Sequence, residues 1–160
     1  MSGRVSVKPI NPDFLDFVNY AVCKALSERY GKDESAELFR RAGEIGFGEL
    51  CRLVGFVSTD PADVLREVGM FLERMGYMAR INLESVTENE VIVEMQGVSV
   101  IGSSIRLVRE GASPSHIMTN LMFAALKEVC GMEASIIDLT LEQPSPVEGY
   151  AREKWVLKRI

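Results

Sequence analysis

A chain of 160 residues can bury roughly 70% of the surface its unfolded form exposes, so it needs neither metal nor disulfide to fold. Hydrophobic residues make up 47% and charged residues 26%, which excludes intrinsic disorder, collagen-like repeats and a disulfide-knotted secreted miniprotein. Eighteen basic against twenty-three acidic side chains leave a net charge of −5, which works against a general attraction to nucleic acid or anionic lipid.

Cys23, Cys51 and Cys130 are odd in number and far apart, with no CxxC, so a reducing cytoplasm is expected. Met1 to Pro12 lacks the basic region and apolar core of a leader peptide. No apolar run reaches the ~20 residues of a membrane helix, so no membrane insertion is expected.

Asn11-Pro12-Asp13 predicts a helix start by side-chain capping, fixed proline φ and a favourable dipole charge. Phe14, Val18, Ala21, Val22 and Ala25 follow at helical spacing, and Gly31 is a natural stop. A second helix is predicted from Asp33 through Phe39 and Phe47 to Val54. Its internal glycines Gly43, Gly46 and Gly48 each cost about 0.8–1.0 kcal/mol relative to alanine. Either a neighbouring element approaches closely there, or the missing side chains leave room for a ligand.

Thr59-Asp60-Pro61 opens a third helix that ends at Gly76. Tyr77–Val86 and Val91–Met95, joined by the polar turn Thr87–Glu90, predict an antiparallel hairpin. Residues 97–112 are the least legible: Val98–Ile101 and Ile105–Val108 look strand-like around a Gly102-Ser103-Ser104 loop. Ser113-Pro114 caps a further helix ending at Gly131, Ser135–Leu141 is a strand, Gln143–Pro146 a turn or loop, and Trp155–Leu157 a last strand. The order predicts an α+β fold, helices packed on an antiparallel sheet of about four strands, as one domain over 1–160.

The usual catalytic signatures are missing: there is no GxxxxGK[ST], HExxH or GxSxG. Gly46-Phe47-Gly48 starts like a dinucleotide loop, but Cys51 replaces the third glycine and the pattern is helical. His116 is the only histidine, so it is the one imidazole available as polar anchor or base; its position in an early helical turn fits a local structural role equally. Cys23, Cys51, Cys130 and His116 suit zinc by ligand chemistry but lie at unrelated spacings, and free cysteine is commonly a small buried hydrophobe. No metal or cofactor is expected.

Eight methionines concentrate around the third and later helices, with Met118 and Met122 one turn apart and Phe123 alongside. Flexible thioethers fill irregular cores, line apolar pockets or form dimer surfaces. Arg152, Lys154, Lys158 and Arg159 crowd the C-terminus, where basic side chains can protect an edge strand.

Over about residues 30–160 the chain resembles the V4R (4-vinyl reductase) domain family, often described as hydrocarbon-binding. The resemblance is carried by the helix phrase Arg41–Leu50, by the Pro61–Gly76 helix running into the Tyr77–Met95 hairpin, and by Ser115–Gly131 leading into Ala134–Glu142. It implies a fold shared with Bet3-like subunits of vesicle-tethering complexes and, more distantly, with haem-based nitric-oxide sensors. Cysteines that many members carry before the fourth helix and around the last hairpin are missing, since 97–115 and 142–160 contain none.

The function expected is therefore non-catalytic binding of a small, largely apolar molecule between helices and sheet by a cytoplasmic protein. Gly43 would thin one wall, Phe39, Phe47, Met118, Met122 and Phe123 would line it, and His116 would anchor a polar atom. The alternative is a homodimeric, Bet3-like scaffold without ligand, using Met and Phe residues of the first and third helices. The family name also implies a reductase or lyase acting on a vinyl-bearing tetrapyrrole, for which no catalytic residue is nominated.

Overall fold

The computed structural model describes residues 8–160; most of the stretch read as lacking a leader lies outside the described residues. The element order is α1 (Pro12–Tyr30), α2 (Lys32–Leu50), α3 (Pro61–Arg74), β1 (Arg80–Val86), β2 (Glu90–Gln96), α4 (Ile101–Arg109), α5 (Ile117–Cys130), β3 (Met132–Ser145) and β4 (Glu148–Arg159). Among the described residues, five helices thus accompany one four-stranded antiparallel sheet of order β1-β2-β4-β3.

Local chemistry sets the helix ends. Asn11 Oδ1 accepts from the Asp13 amide at the start of α1, and Asp60 accepts from Ala62 and Asp63 at the start of α3, with Pro12 and Pro61 as first helical residues. Gly31, at φ 83°, stops α1 and joins it directly to α2.

On the inner face of the sheet, Val91, Val93 and Met95 of β2 and Ala151, Trp155 and Leu157 of β4 meet Leu65, Val68 and Leu72 of α3 and Met122, Ala125 and Leu126 of α5. A second, smaller cluster joins Cys23, Phe39, Leu107 and Ala112 from α1, α2, α4 and the loop after α4.

Three expectations change. Residues 101–109 are helical: Ile101 and Leu107 are buried, the Ser103 and Ser104 hydroxyls donate to the Val100 carbonyl, and Asp16 accepts from the Ser103 amide. Gly97, at φ 64°, ends β2 before any strand can continue. The last hairpin is also longer than predicted, with β3 running through Gln143-Pro144 and β4 starting at Glu148. Because β4 lies inside the sheet, its basic residues guard no edge. Arg152 pairs with Glu84 and Lys154 with Glu90 instead.

Candidate functional site

The start of α5 is the least ordinary backbone in the fold. The helix begins at Ile117, not at the predicted Ser113-Pro114 cap, and His116 holds its N-cap position at φ 42°, ψ 38°. His116 is the only non-glycine residue at positive φ among the described residues. A non-glycine side chain in the left-handed region carries strain of order 1 kcal/mol or more, of the kind that clusters at functional sites.

Its ring is 23% exposed, and its Nδ1 lies 4.0 Å from Glu153 Oε1. Burial pulls the imidazole pKa down to about 4, so His116 is neutral at physiological pH. Glu153 is 2% exposed. Trp155 Nε1 donates to its Oε2 at 2.7 Å, and Thr119 Oγ1 lies 2.9 Å from both carboxylate oxygens. Burial pushes the Glu153 carboxyl above its ordinary range, and those two hydrogen bonds work the other way. Phe123 closes over Trp155 edge to face at 5.0 Å.

His116 lines two spaces. A small chamber of about 30 Å³ is bounded by Tyr77, Ser104, Met118, Thr119 and Glu153, among others. An open groove of about 250 Å³ is bounded by Phe39 and Arg40 of α2, Ser113 and Pro114, Asn120 and Phe123 of α5, and Ile136 of β3. A larger groove of about 520 Å³, near Asp13, Asp16 and Glu73, contains none of the predicted site residues.

The structure therefore brings Phe39, His116 and Phe123 to the groove, and His116 and Met118 to the chamber. Phe47 and Met122 belong to the packed core, Phe47 against Phe56. Gly43 is used for close approach: a Cβ there would lie 2.5 Å from Asn120 Cβ and 2.7 Å from its carbonyl carbon. Met78, Met95 and Met122 are each at most 2% exposed.

Two hydroxyls flank His116, but neither forms a nucleophile–base pair with it. Ser113 Oγ donates to the Pro114 carbonyl and Ser115 Oγ to Asn19 Oδ1. Cys23 is buried, Cys51 exposed and Cys130 intermediate, and no group of three metal-ligating residues occurs among the described residues.

Sequence analysis missed Glu153, Thr119, Trp155 and Tyr77 as site residues. One signal was available: Ala151, Glu153, Trp155 and Leu157 share one phase of a period-2 strand, so Glu153 is a charge on an apolar face.

No family model matches the chain, and no curated protein does. Solved structures do. A mutant structure of T. tengcongensis H-NOX superposes with TM-score 0.57 at 15% identity, covering 98% of this chain and 80% of that one. A second H-NOX structure, from a study of haem distortion in that family, gives 0.55 at 18% identity over 98% and 77%. A third, from work on H-NOX activation, gives 0.54 at 15% identity over 97% and 77%. The fold is that of H-NOX domains.

These matches correct the V4R and Bet3-like expectation, because the matched structures are H-NOX domains. The functions attached to that expectation fall with it: apolar-ligand binding between helices and sheet, the Bet3-like dimeric scaffold, and the vinyl-tetrapyrrole enzyme. Packing agrees, since Met78, Met95 and Met122 are buried in the core and the chamber beside Met118 holds about 30 Å³. No helix among the described residues is long and apolar enough to cross a membrane.

Proposed function

We propose that this chain is a sensor domain of the H-NOX fold that takes a small hydrogen-bonding molecule at His116. The observation that carries this reading is the lone histidine, held in a left-handed cap where it borders both a groove and a small chamber. Phe39, Phe123 and Ile136 offer flat apolar walls, and the neutral imidazole and Asn120 offer hydrogen bonds. A ligand atom that takes up the imidazole changes the environment of Glu153, which is bonded to Trp155 at the centre of the core.

The H-NOX likeness suggests haem-based gas sensing, and a neutral imidazole backed by a carboxylate is a reasonable iron ligand. The space does not fit that group. A site enclosing a large planar ligand needs on the order of 300 Å³ or more, whereas the chamber holds about 30 Å³ and the groove is an open 250 Å³. Glu153 and Thr119 occupy the inner side of the imidazole. Sensing is therefore assigned to the protein's own residues.

Benzamide, a planar ring with an amide donor and acceptor, is a suitable probe in a panel of small hydrogen-bonding ring fragments. The single histidine gives one set of imidazole NMR signals and the single tryptophan one emission band. The expected result is a saturable shift of both at millimolar fragment, lost in His116→Ala. Failure of the whole panel to move either signal overturns the proposal. A stoichiometric Soret band that shifts under carbon monoxide and vanishes in His116→Ala would replace it with haem-based sensing.

A further inference from the structure

The direction of the main-chain bonds along the last strands follows from two of them. The Leu157 amide donates to the Asn89 carbonyl, toward β2, and the Ile160 amide donates to the Gly131 carbonyl, toward β3. Directions alternate along an antiparallel strand, so Lys158 and Val156 face β3 and bond with their register partners Glu133 and Ser135. The amides and carbonyls of Ala134 and Ile136 then point away from β4. Since β3 is an outer strand, no further strand meets them, and no other backbone group among the described residues does.

Carboxylates close other parts of the sheet's margins. Glu73 Oε1 accepts from the Ile81 amide of β1 at 2.7 Å, and Asp138 Oδ1 accepts from the Leu139 amide of β3 at 3.0 Å. The register of β3 also shifts between Ile136 and Asp138, and a bulge of this kind ends regular pairing. Ala134 and Ile136 lie just before that interruption, beside a groove. Ser135 and Ile136 border its part of about 250 Å³, Ala134 borders a further hollow of about 40 Å³, and Arg40, Asn120 and Phe123 are common to both.

Charge selects what fits there. Arg40 is exposed and has no ion-pair partner among the described residues, whereas Lys127 on the same wall is bound to Glu44 at 3.2 Å. Glu133 stands on the opposite face of β3 from Ala134, across from Lys158, and Glu37 lies one turn before Arg40, at the His116 end. The Ala134 end of the groove thus presents an unanswered guanidinium, and the Ile136 end presents Phe39 and Phe123.

We propose that an extended peptide segment of a partner protein joins β3 at Ala134 and Ile136, antiparallel, as a further strand of the sheet. Its residue opposite Ile136 is apolar and rests on Phe39 and Phe123. Two positions later, opposite Ala134, it carries a carboxylate for Arg40. Both side chains enter the groove, because residues directly opposite share a face and strand side chains alternate. Main-chain bonds supply attachment and the two side chains supply selection. This site goes beyond the binding of a small molecule at His116 and does not depend on it.

Backbone amide NMR of the full chain tests this. The probe is a capped five-residue peptide with valine second, glutamate fourth and threonine elsewhere. The expected result is a saturable shift of the Ala134 and Ile136 amides at millimolar peptide. Methylating the valine and glutamate nitrogens removes the donors that face β3 and is expected to abolish that shift, whereas methylating the central threonine nitrogen, which faces away, is expected to preserve it. Arg40→Glu, an exposed substitution, is expected to weaken the peptide about fivefold or more and to favour a version with lysine fourth. Amides of Ala134 and Ile136 that stay still overturn the proposal, as do equal effects of the two methylation patterns or indifference to Arg40→Glu. The fragment panel reads His116 and Trp155, so either result can fail without the other.

Discussion

Trp155 and Glu153 stand two residues apart on β4 and point to the same side of the sheet, so the indole Nε1 reaches the carboxylate at 2.7 Å inside the core. A charge-assisted bond of this kind is worth more than a neutral one, and its loss strands a buried acceptor. Trp155→Phe is therefore expected to cost about 3 kcal/mol or more near neutral pH. Urea unfolding at pH 7 and pH 5 checks this. The loss should be smaller at the lower pH, because a carboxyl held above its ordinary range takes up its proton sooner as acid is added.

His116 and Glu153 give stability opposite dependences on acid. The His116 pKa is lowered in the folded state to about 4 from 6.5, so the unfolded chain binds the proton first. Stability is full above pH 6.5 and falls as pH drops toward 4, by about 3 kcal/mol at most. His116→Asn, which tolerates the left-handed backbone and does not titrate, is expected to remove that fall in a pH series of thermal melts.

Glu153 acts the other way. Its folded pKa is raised, so its protonated form is favoured on folding, and stability declines as pH rises from 4.5 through the folded value. Glu153→Gln keeps an oxygen for Thr119 and Trp155 and should flatten that decline in the same melts. An unchanged slope in Glu153→Gln would show that the carboxylate is not the titrating group.

Two glycines of α2 should respond in opposite directions. At Gly43 an added methyl meets Asn120 backbone atoms at 2.7 and 2.8 Å, and backbone cannot give way cheaply. The gain in helix propensity of about 1 kcal/mol is then outweighed, and Gly43→Ala should destabilise by about 1–3 kcal/mol net. At Gly48 nothing lies within 4 Å, so Gly48→Ala should stabilise by up to about 1 kcal/mol. Chemical denaturation of the two variants side by side checks the contrast.

Elements with strong local signals were legible from the residues. The caps at Asn11 and Asp60, the stop at Gly31 and the hairpin through Thr87 all rest on chemistry within a few residues. Helix α4 was not legible, because Val98–Ile101 and Ile105–Val108 satisfy a strand pattern as well as a helical one. The choice is made by Asp16, distant in sequence, which accepts from the Ser103 amide. The position of β4 inside the sheet was equally hidden, since antiparallel pairing with both β2 and β3 is a long-range outcome.

The candidate site was legible only at its rim. Phe39, His116 and Phe123 follow from residue type, and the structure gathers them around one groove. What the sequence conceals is that His116 leaves the helix for a left-handed cap and faces Glu153 from a strand 37 positions further on. Conversely, Gly43 and Met122 satisfied a pocket pattern but are consumed by packing, because small and flexible side chains serve tight contacts as readily as vacancies.

The solvent side of β4 carries Arg152 and Lys154, on either side of Glu153 in sequence, tied to Glu84 and Glu90. Were this strand to slide by a single position between β2 and β3, a guanidinium or an ammonium would be driven beneath α5 while the carboxylate emerged into water. Mispaired forms of the sheet are thus penalised by alternating charge as well as by greasy contacts, and the hairpin that closes the chain has one way to dock.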